Sequence, residues 1–167
     1  MYNIKSNEGG YLMEERVIKL QADLEELKNK VGEKTAAKLE LDKYSRIIHR
    51  LAEFSADCEE CRQYFDELES HLLQMVNQAK TKELTPQEIK VHRQMTANIT
   101  SHLMKKHQLV PSGYYIGIYL ALGISIGLVL GFLLFDNMPL GMPIGMEMGV
   151  AIGSGLDADA KKKGKVM

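Results

Sequence analysis

Glycines recur at four-residue spacing in two runs between residues 123 and 153, and this repeat constrains the fold more than any other feature. It falls in a nearly uncharged stretch, residues 114–156. Positions i and i+4 share one face of an α-helix, so each run leaves a smooth face that another backbone can approach closely. The spacing therefore predicts two packed helices in a membrane. The glycines are Gly123, Gly127 and Gly131 in a first run, Gly141, Gly145, Gly149 and Gly153 in a second, and Gly117 just upstream.

Two kinds of contact would use these helix-packing glycines. They would dock the two helices of one chain, or they would pack helices of different chains into a homo-oligomer. Close van der Waals packing drives helix association in lipid in either case. The spacing alone leaves both alternatives open.

Two apolar segments carry the glycine runs. Tyr114–Phe135 has 22 residues and no charge, which is long enough to span a bilayer. A turn at Asp136–Pro139 leads to the second segment, Met138–Leu156. Because prolines and a glutamate interrupt that segment, it is predicted either to span, as the second helix of a 114–156 hairpin, or to lie in the interface or re-enter.

The charges that flank the hairpin predict its orientation. Lys105 and Lys106 precede the first segment, and a lysine cluster at 161–165 follows the second. Loops on the cytoplasmic side carry an excess of lysine and arginine, so both ends are predicted to be cytoplasmic and the turn external. The predicted location is the bacterial cytoplasmic membrane, where lipid surrounds the hairpin.

Glu147 lies at the middle of the second segment, two residues from Gly145 and from Gly149. At about 100° per residue, its side chain is predicted to point away from the glycine face. An ionised carboxylate in lipid is costly and usually faces protein or water. Glu147 is therefore interpreted either as lining a water-filled path in an oligomer, or as protonated or close to the headgroups.

Composition separates a polar first part from this hairpin. Net charge is −1 and tryptophan is absent, which argues against a basic nucleic-acid binder and against an aromatic platform for bases. The first apolar run follows residue 113, so the preceding region is predicted to be cytoplasmic. The chain is divided into a flexible tail (1–12), a cytoplasmic helical domain (13–108), a linker (109–113), the hairpin (114–156) and a basic cytoplasmic tail (157–167).

The helical domain is predicted to contain three helices. Met13–Val31 has apolar residues at alternating spacings of four and three, typical of a short heptad helix, and Gly32 weakens or ends it. This seam fits packing on its own chain, self-association or a cytoplasmic protein partner. A long helix is predicted over 35–80, and Thr85-Pro86-Gln87-Glu88 is a capping box that begins a helix ending near His107. The last two helices should form an antiparallel hairpin.

Cysteine and histidine residues form the pattern C-x₂-C-x₄₀-H-x₄-H at Cys58, Cys61, His102 and His107. Thiolates and imidazoles are the usual ligands of structural zinc. With a turn near residue 84, position 61 is predicted to lie opposite position 107. Five residues on a straight helix amount to about 140° of rotation, so convergence of the two histidines would need a frayed helix end. Structural zinc, buried core cysteines and a redox thiol pair all remain open.

The segments at Gly123–Gly131, Gly141–Gly153 and Gly153–Lys165 resemble bacterial glycine-zipper-like proteins, which are common in Firmicutes. The resemblance covers about the last 55 residues and implies a small membrane protein with no known reaction. A phosphate-binding glycine loop and the common hydrolase and metalloprotease motifs are absent from the sequence, which predicts that the protein is not an enzyme.

We therefore expect an all-α protein in which a coiled-coil-like helical domain precedes a glycine-zipper transmembrane hairpin. The expected function is that of a self-associating membrane scaffold or assembly module. A small channel with Glu147 in its lumen is the first alternative, and a zinc- or redox-sensing membrane module is the second.

Overall fold

The computed structural model describes residues 5–82 and 84–167, and it is all-α. The helices are α1 Lys5–Lys38, α2 Leu41–Phe54, α3 Glu59–Ala79, α4 Pro86–His107, α5 Tyr114–Phe135 and α6 Met138–Lys162. Close backbone contacts divide the chain into two compact units, Met1–His102 and Leu103–Met167. The all-α class and the glycine-bearing helical hairpin are confirmed; the division falls inside α4, a few residues before the predicted linker at 109–113.

Helices α1, α2 and α3 share the core of the first unit. The central leucines of the heptad seam, Leu20, Leu24 and Leu27, are at most 3% exposed and pack within the chain. Apolar residues at helical spacing on α2 and α3 complete the core, among them Tyr44, Ile48, Leu51, Phe65, Leu68 and Leu72. Arg16 of α1 forms an ion pair with Asp66 of α3 at 2.6 Å and lies over the Phe65 ring. Packing on its own chain therefore accounts for the seam.

Helix α1 extends beyond both ends of the predicted heptad segment. Gly32 interrupts it with a positive φ of 74°, a conformation that glycine adopts without strain, and the helix then resumes as far as Lys38. Of the predicted flexible tail, residues 1–4 lie outside the described residues and residues 5–12 are helical.

The single long helix predicted over 35–80 is wrong. Glu40 adopts a left-handed conformation between α1 and α2, and residues 55–58 separate α2 from α3. The Ser55 hydroxyl donates a hydrogen bond to the Ala52 carbonyl at 2.7 Å, and Cys58 is extended as the N-cap of α3. Short polar side chains that bond to nearby backbone compete with helix continuation, which explains a break without glycine or proline.

The capping box at the start of α4 is confirmed. The backbone N–H of Thr85 donates to Glu88 Oε2 at 2.6 Å, and the N–H of Glu88 donates to Thr85 Oγ1 at 3.3 Å. These bonds satisfy donors that a helix N-terminus otherwise leaves unpaired, and they lower the pKa of Glu88. The α3 and α4 helices run antiparallel, since His71 contacts His92 and Cys61 contacts His102. Cys61 thus faces position 102 rather than the predicted position 107.

The second unit consists of α5 and α6 with the segments that flank them. Asp136 and Asn137 form the turn, and α6 continues to Lys162 through most of the predicted basic tail. The predicted linker is also ordered by pairing. Val110 N–H donates to the Lys165 carbonyl at 2.8 Å, and Met167 N–H donates to the Val110 carbonyl at 3.0 Å. These bonds hold residues 109–110 and 165–167 together.

Candidate functional sites: the glycine hairpin and the metal centre

The α5 and α6 helices are in backbone contact along the glycine face. A methyl group added to Gly127 would fall 2.9 Å from Gly145 Cα, and one added to Gly131 would fall 2.7 Å from Gly141 N. Separations below 3.0 Å essentially never occur for real Cβ atoms. Both glycine runs therefore serve to dock the two helices of one chain.

The hairpin contact continues past the first glycine run. Gly149 meets the backbone of Tyr119 and Leu120, and a methyl group on Gly153 would fall 2.6 Å from Ile116 Cα. On this stretch α6 alone supplies the small residues. Gly117, which was predicted to be a helix-packing glycine, is exposed and has nothing within 4 Å of its added methyl, so it takes no part in the contact.

Asp157 fixes one end of the hairpin. Its Oδ1 accepts a hydrogen bond from the Tyr115 N–H and its Oδ2 accepts one from the Ile116 N–H, both at 3.2 Å. A carboxylate at a helix N-terminus pairs unsatisfied donors and interacts favourably with the helix dipole. Asp157 of α6 thus caps α5. From the sequence, Asp157 is predicted to lie in the basic tail, and the four-residue step from Gly153 is the signal that could have placed it on the glycine face.

The outer face of the hairpin is apolar. Large side chains such as Ile126, Leu133 and Ile152 are about half exposed or more. Tyr114–Leu134 is, among the described residues, the one helix long and apolar enough to cross a membrane. Glu147 is exposed on α6, while Gly145 and Gly149 are buried. Its predicted direction away from the glycine face is consistent with this placement, and a role in a lumen stays a prediction.

The cysteines lie where α3 begins, and both histidines lie on α4. Cys58 is the N-cap of α3 and Cys61 is in its first turn, and both are buried thiols. His102 Nε2 lies 3.5 Å from Cys58 Sγ and 3.4 Å from Cys61 Sγ. With His107, the last residue of α4, they form a group whose ligand atoms all lie within 4.8 Å of one another. This cluster could hold a metal ion.

These separations fit tetrahedral zinc. With Zn–S of about 2.3 Å and Zn–N of about 2.0–2.1 Å, a sulfur and a nitrogen in one tetrahedron lie about 3.6 Å apart. The two measured sulfur–nitrogen separations are within about 0.2 Å of that length. His107 ends α4, and Gln108 after it has a positive φ of 54°. The two histidines therefore converge without the frayed helix end predicted to be needed, because α4 is helical through His107.

Two neighbouring side chains that are not candidate ligands, Glu60 and Tyr64, orient the His102 ring. Glu60 Oε2 lies 3.4 Å from His102 Nδ1, and the Tyr64 ring packs against the imidazole with centroids 5.3 Å apart. A proton on Nδ1, facing the carboxylate, leaves the Nε2 lone pair directed at the thiols. Metal-bound histidines usually donate their other N–H to a carboxylate or carbonyl in this way. Glu60 lies in the first turn of α3 between the two cysteines, which places its carboxylate beside His102.

The pKa of Cys61 bears on whether the two cysteines form a redox pair or a metal site. Burial, with a further contribution from neighbouring Cys58, raises the pKa of Cys61 to about 12. Reactive cysteines are partly exposed and have lowered pKa values. The protein environment alone thus opposes a redox thiolate at Cys61, whereas a bound cation would deprotonate the thiol outright.

A second histidine pair, His71 of α3 and His92 of α4, lies within the first unit. His92 is 1% exposed, and its Nε2 is 3.1 Å from the Leu39 carbonyl oxygen. A carbonyl only accepts, so Nε2 carries the proton and Nδ1 is left to accept from His71 Nε2 at 3.3 Å. Burial is the main cause that lowers the pKa of His92 to about 4. Periodicity could place His92 on the buried face but not identify its partners.

Helix α5, which is long and apolar enough to span a bilayer, and the antiparallel helix α6 in backbone contact with it form a helical hairpin. Residues 111–159 match the family model described as glycine zipper membrane protein. The resemblance inferred from the sequence is confirmed over this segment. Comparison with curated proteins and with solved structures found no match for the chain.

Proposed function

We propose that the protein is a membrane-anchored, non-catalytic module whose helical unit binds one structural Zn²⁺. Cys58, Cys61, His102 and His107 would be the ligands. The observation that carries this proposal is the placement of His102 Nε2 at 3.5 and 3.4 Å from the two sulfurs. Two thiolates and two imidazoles would close a tetrahedron and leave no open position for substrate, which is typical of structural rather than catalytic zinc.

The position of the cluster supports a structural role for the metal. Helices α1, α2 and α3 approach one another closely in pairs, whereas α4 makes fewer close backbone approaches to them. The thiols lie at the start of α3, and the imidazoles lie at the far end of α4 from the capping box. A metal bound there would link α4 to α3 through His102 and the two cysteines, and these helices make few close backbone approaches to each other.

Zinc is the metal that this ligand set favours. Thiolates select zinc, copper(I) and iron–sulfur chemistry, while imidazole suits zinc, and a tetrahedral S₂N₂ set is typical of zinc. Calcium and magnesium prefer oxygen ligands, which this set does not offer. Cobalt(II) can replace zinc as a spectroscopic probe of the same tetrahedron.

Metal analysis of the purified full-length chain tests the proposal. We expect about one Zn²⁺ per chain by elemental analysis, and visible Co²⁺ absorption with a sulfur charge-transfer band after exchange. Cys61→Ser and His102→Ala should abolish the band and the stoichiometric zinc. His49, an exposed histidine of α2, offers the matched control, and His49→Ala should retain both. A wild-type protein without stoichiometric metal that also fails to bind Co²⁺ would exclude the zinc function.

Self-association into a scaffold is the second candidate, and Glu147 is the observation that favours it. An exposed carboxylate on α6 would face lipid in a lone hairpin, where it is costly if ionised, whereas a second chain or a lumen would shelter it. The glycine runs already dock α5 on α6, so an oligomer would use the outer faces. Cross-linking in lipid tests assembly, and flux through liposomes that Glu147→Gln abolishes would favour a channel over a scaffold. A strictly monomeric hairpin without flux would exclude both.

A further inference from the structure

Two lysine-bearing segments of the second unit meet beside the start of α5. Lys105 and Lys106 lie in the last turn of α4, and Lys161 and Lys162 lie in the last turn of α6. The backbone bonds of Val110 with residues 165 and 167 hold the chain after α4 against the chain after α6. Lysines that are over 50 residues apart in the sequence are thereby gathered at one end of the hairpin.

Most of this charge is unneutralised. Among the described residues, Lys163 pairs with Asp159 at 2.6 Å. Asp157, the other nearby acid of α6, is used by the backbone of α5. The remaining lysines have exposed side chains and no ion-pair partner in the described part of the chain: Lys105, Lys106, Lys161, Lys162 and Lys165. The end of the hairpin therefore presents a cluster of five uncompensated positive charges.

The hairpin fixes the depth of this cluster. The candidate span begins at Tyr114, and the bonds from Asp157 place the last turns of α6 beside that beginning. Tyr114 and Tyr115 pack edge to face at the same level, as interfacial tyrosines do. Lysine side chains just outside the span lie at the depth of lipid phosphates, which they reach by extending along the interface.

We propose that this lysine cluster (residues 105, 106, 161, 162 and 165) is a binding surface for anionic phospholipid headgroups. Basic clusters of four to eight residues next to a membrane segment attract anionic lipid through the negative surface potential. The surface would enrich such lipids around the hairpin and hold the start of α5 at the bilayer surface. It depends on membrane insertion of α5 and is independent of zinc binding.

Electron spin resonance of spin-labelled lipids tests this surface with the full-length chain in bilayers. We expect labelled phosphatidylglycerol to be motionally restricted by the protein in preference to labelled phosphatidylcholine, and the preference to weaken at high salt. The triple variant Lys161→Gln, Lys162→Gln, Lys165→Gln should reduce the preference by about fivefold for each lysine that faces the headgroups.

A matched control removes the same charge elsewhere. Lys19, Lys34 and Lys90 are exposed lysines of the first unit, and the triple variant to glutamine should leave the lipid preference unchanged. Equal preference for both lipids in the wild type, or equal loss in both triple variants, would overturn the proposal. Loss of the preference when sodium phosphate replaces sodium chloride at equal ionic strength would indicate a site for small anions and would also overturn it.

Discussion

The carboxylate of Asp157 caps the helix that begins near Tyr115, with Oδ1 3.2 Å from the Tyr115 backbone nitrogen. An N-cap is usually the residue that precedes its own helix, but Gly113 occupies that position on α5 and provides no side chain. The cap comes instead from the antiparallel partner, 42 residues later in the sequence. The Tyr115 and Ile116 N–H groups are therefore hydrogen-bonded to Asp157 only when α5 and α6 keep their observed relative positions.

Replacing Asp157 with alanine should destabilise the hairpin by about 1 kcal/mol, as loss of an N-cap usually does. Asp159→Ala is the control, because its exposed i,i+4 pair with Lys163 contributes little. Unfolding of both variants in mixed micelles provides the measurement. Equal stabilities would show that the α5 donors are satisfied without Asp157.

Gly127→Ala should destabilise the hairpin by about 1–3 kcal/mol, since the added methyl group would overlap the backbone of α6. Gly117→Ala offers the matched control on the same helix, because its methyl group meets nothing within 4 Å. That change should be neutral or stabilise the helix by up to about 1 kcal/mol. Unfolding in micelles measures both, and a tolerated Gly127→Ala would contradict the observed backbone contact.

Metal removal should loosen α4 selectively. If free Zn²⁺ is about a hundred times its dissociation constant, chelation should increase amide exchange at the end of α4 about a hundredfold, because a ligand bound only to the closed state suppresses opening by that ratio. Hydrogen exchange resolved along the chain measures this effect. His102→Ala should exchange fast with or without chelator, whereas His49→Ala should behave like the wild type. Uniform acceleration across α1–α3 as well would contradict a local role.

Acid should destabilise the first unit through His92. Its folded pKa of about 4 lies below the ordinary value of 6.5, and the pKa of His71 is lowered too, so the unfolded chain binds more protons between these values. Stability is therefore full above about pH 6.5 and is lost as the pH falls toward 4, by on the order of 3 kcal/mol for His92. Histidine NMR shifts measure the titration of His92, with a short unstructured histidine peptide as the reference. A His92 midpoint near the ordinary value of about 6.5 would contradict its burial as a neutral ring.

The predicted orientation can be tested with single cysteines. Asn3→Cys and Lys165→Cys should resist an impermeant thiol reagent applied outside intact cells, because the lysines favour a cytoplasmic position for both ends. Asn137→Cys, in the exposed turn after α5, should react and is the positive control. The unchanged chain, whose two cysteines are buried, sets the background. Labelling at position 165 would reverse the proposed topology.

Short-range sequence patterns explain which helices could be predicted from the sequence. A residue without a side chain at every fourth position specifies a helix face, and the capping box specifies a helix start, so α5, α6 and the beginning of α4 were within reach. The sequence could not predict which glycine meets which backbone, because spacing does not give the register between two helices. Gly117, six residues before the first run, was predicted to join the helix-packing glycines and yet lies away from the contact.

At the candidate metal centre too, the residue types could be predicted from the sequence but the register between the helices could not. The four ligand types were recognisable, but position 61 was expected opposite position 107 and instead faces His102. In an antiparallel pair, each residue of error in the centre of the turn moves the facing position by two. An error of two to three residues in the loop after α3 therefore changes the facing histidine. The His92 bond to Leu39 depends on tertiary contact alone, and sequence pattern could not supply it.

The backbone contact between α5 and α6 also sets how this protein can change over time. Glycine is the smallest residue, so every missense change at the seven contact positions adds atoms where none fit. Because the facing residue is already glycine or backbone, a clash there cannot be compensated by making the partner residue smaller. The outer face has no such restriction, since one aliphatic residue there exchanges for another in lipid. Lineages of this hairpin should therefore keep the inner surface fixed while the lipid-facing surface drifts.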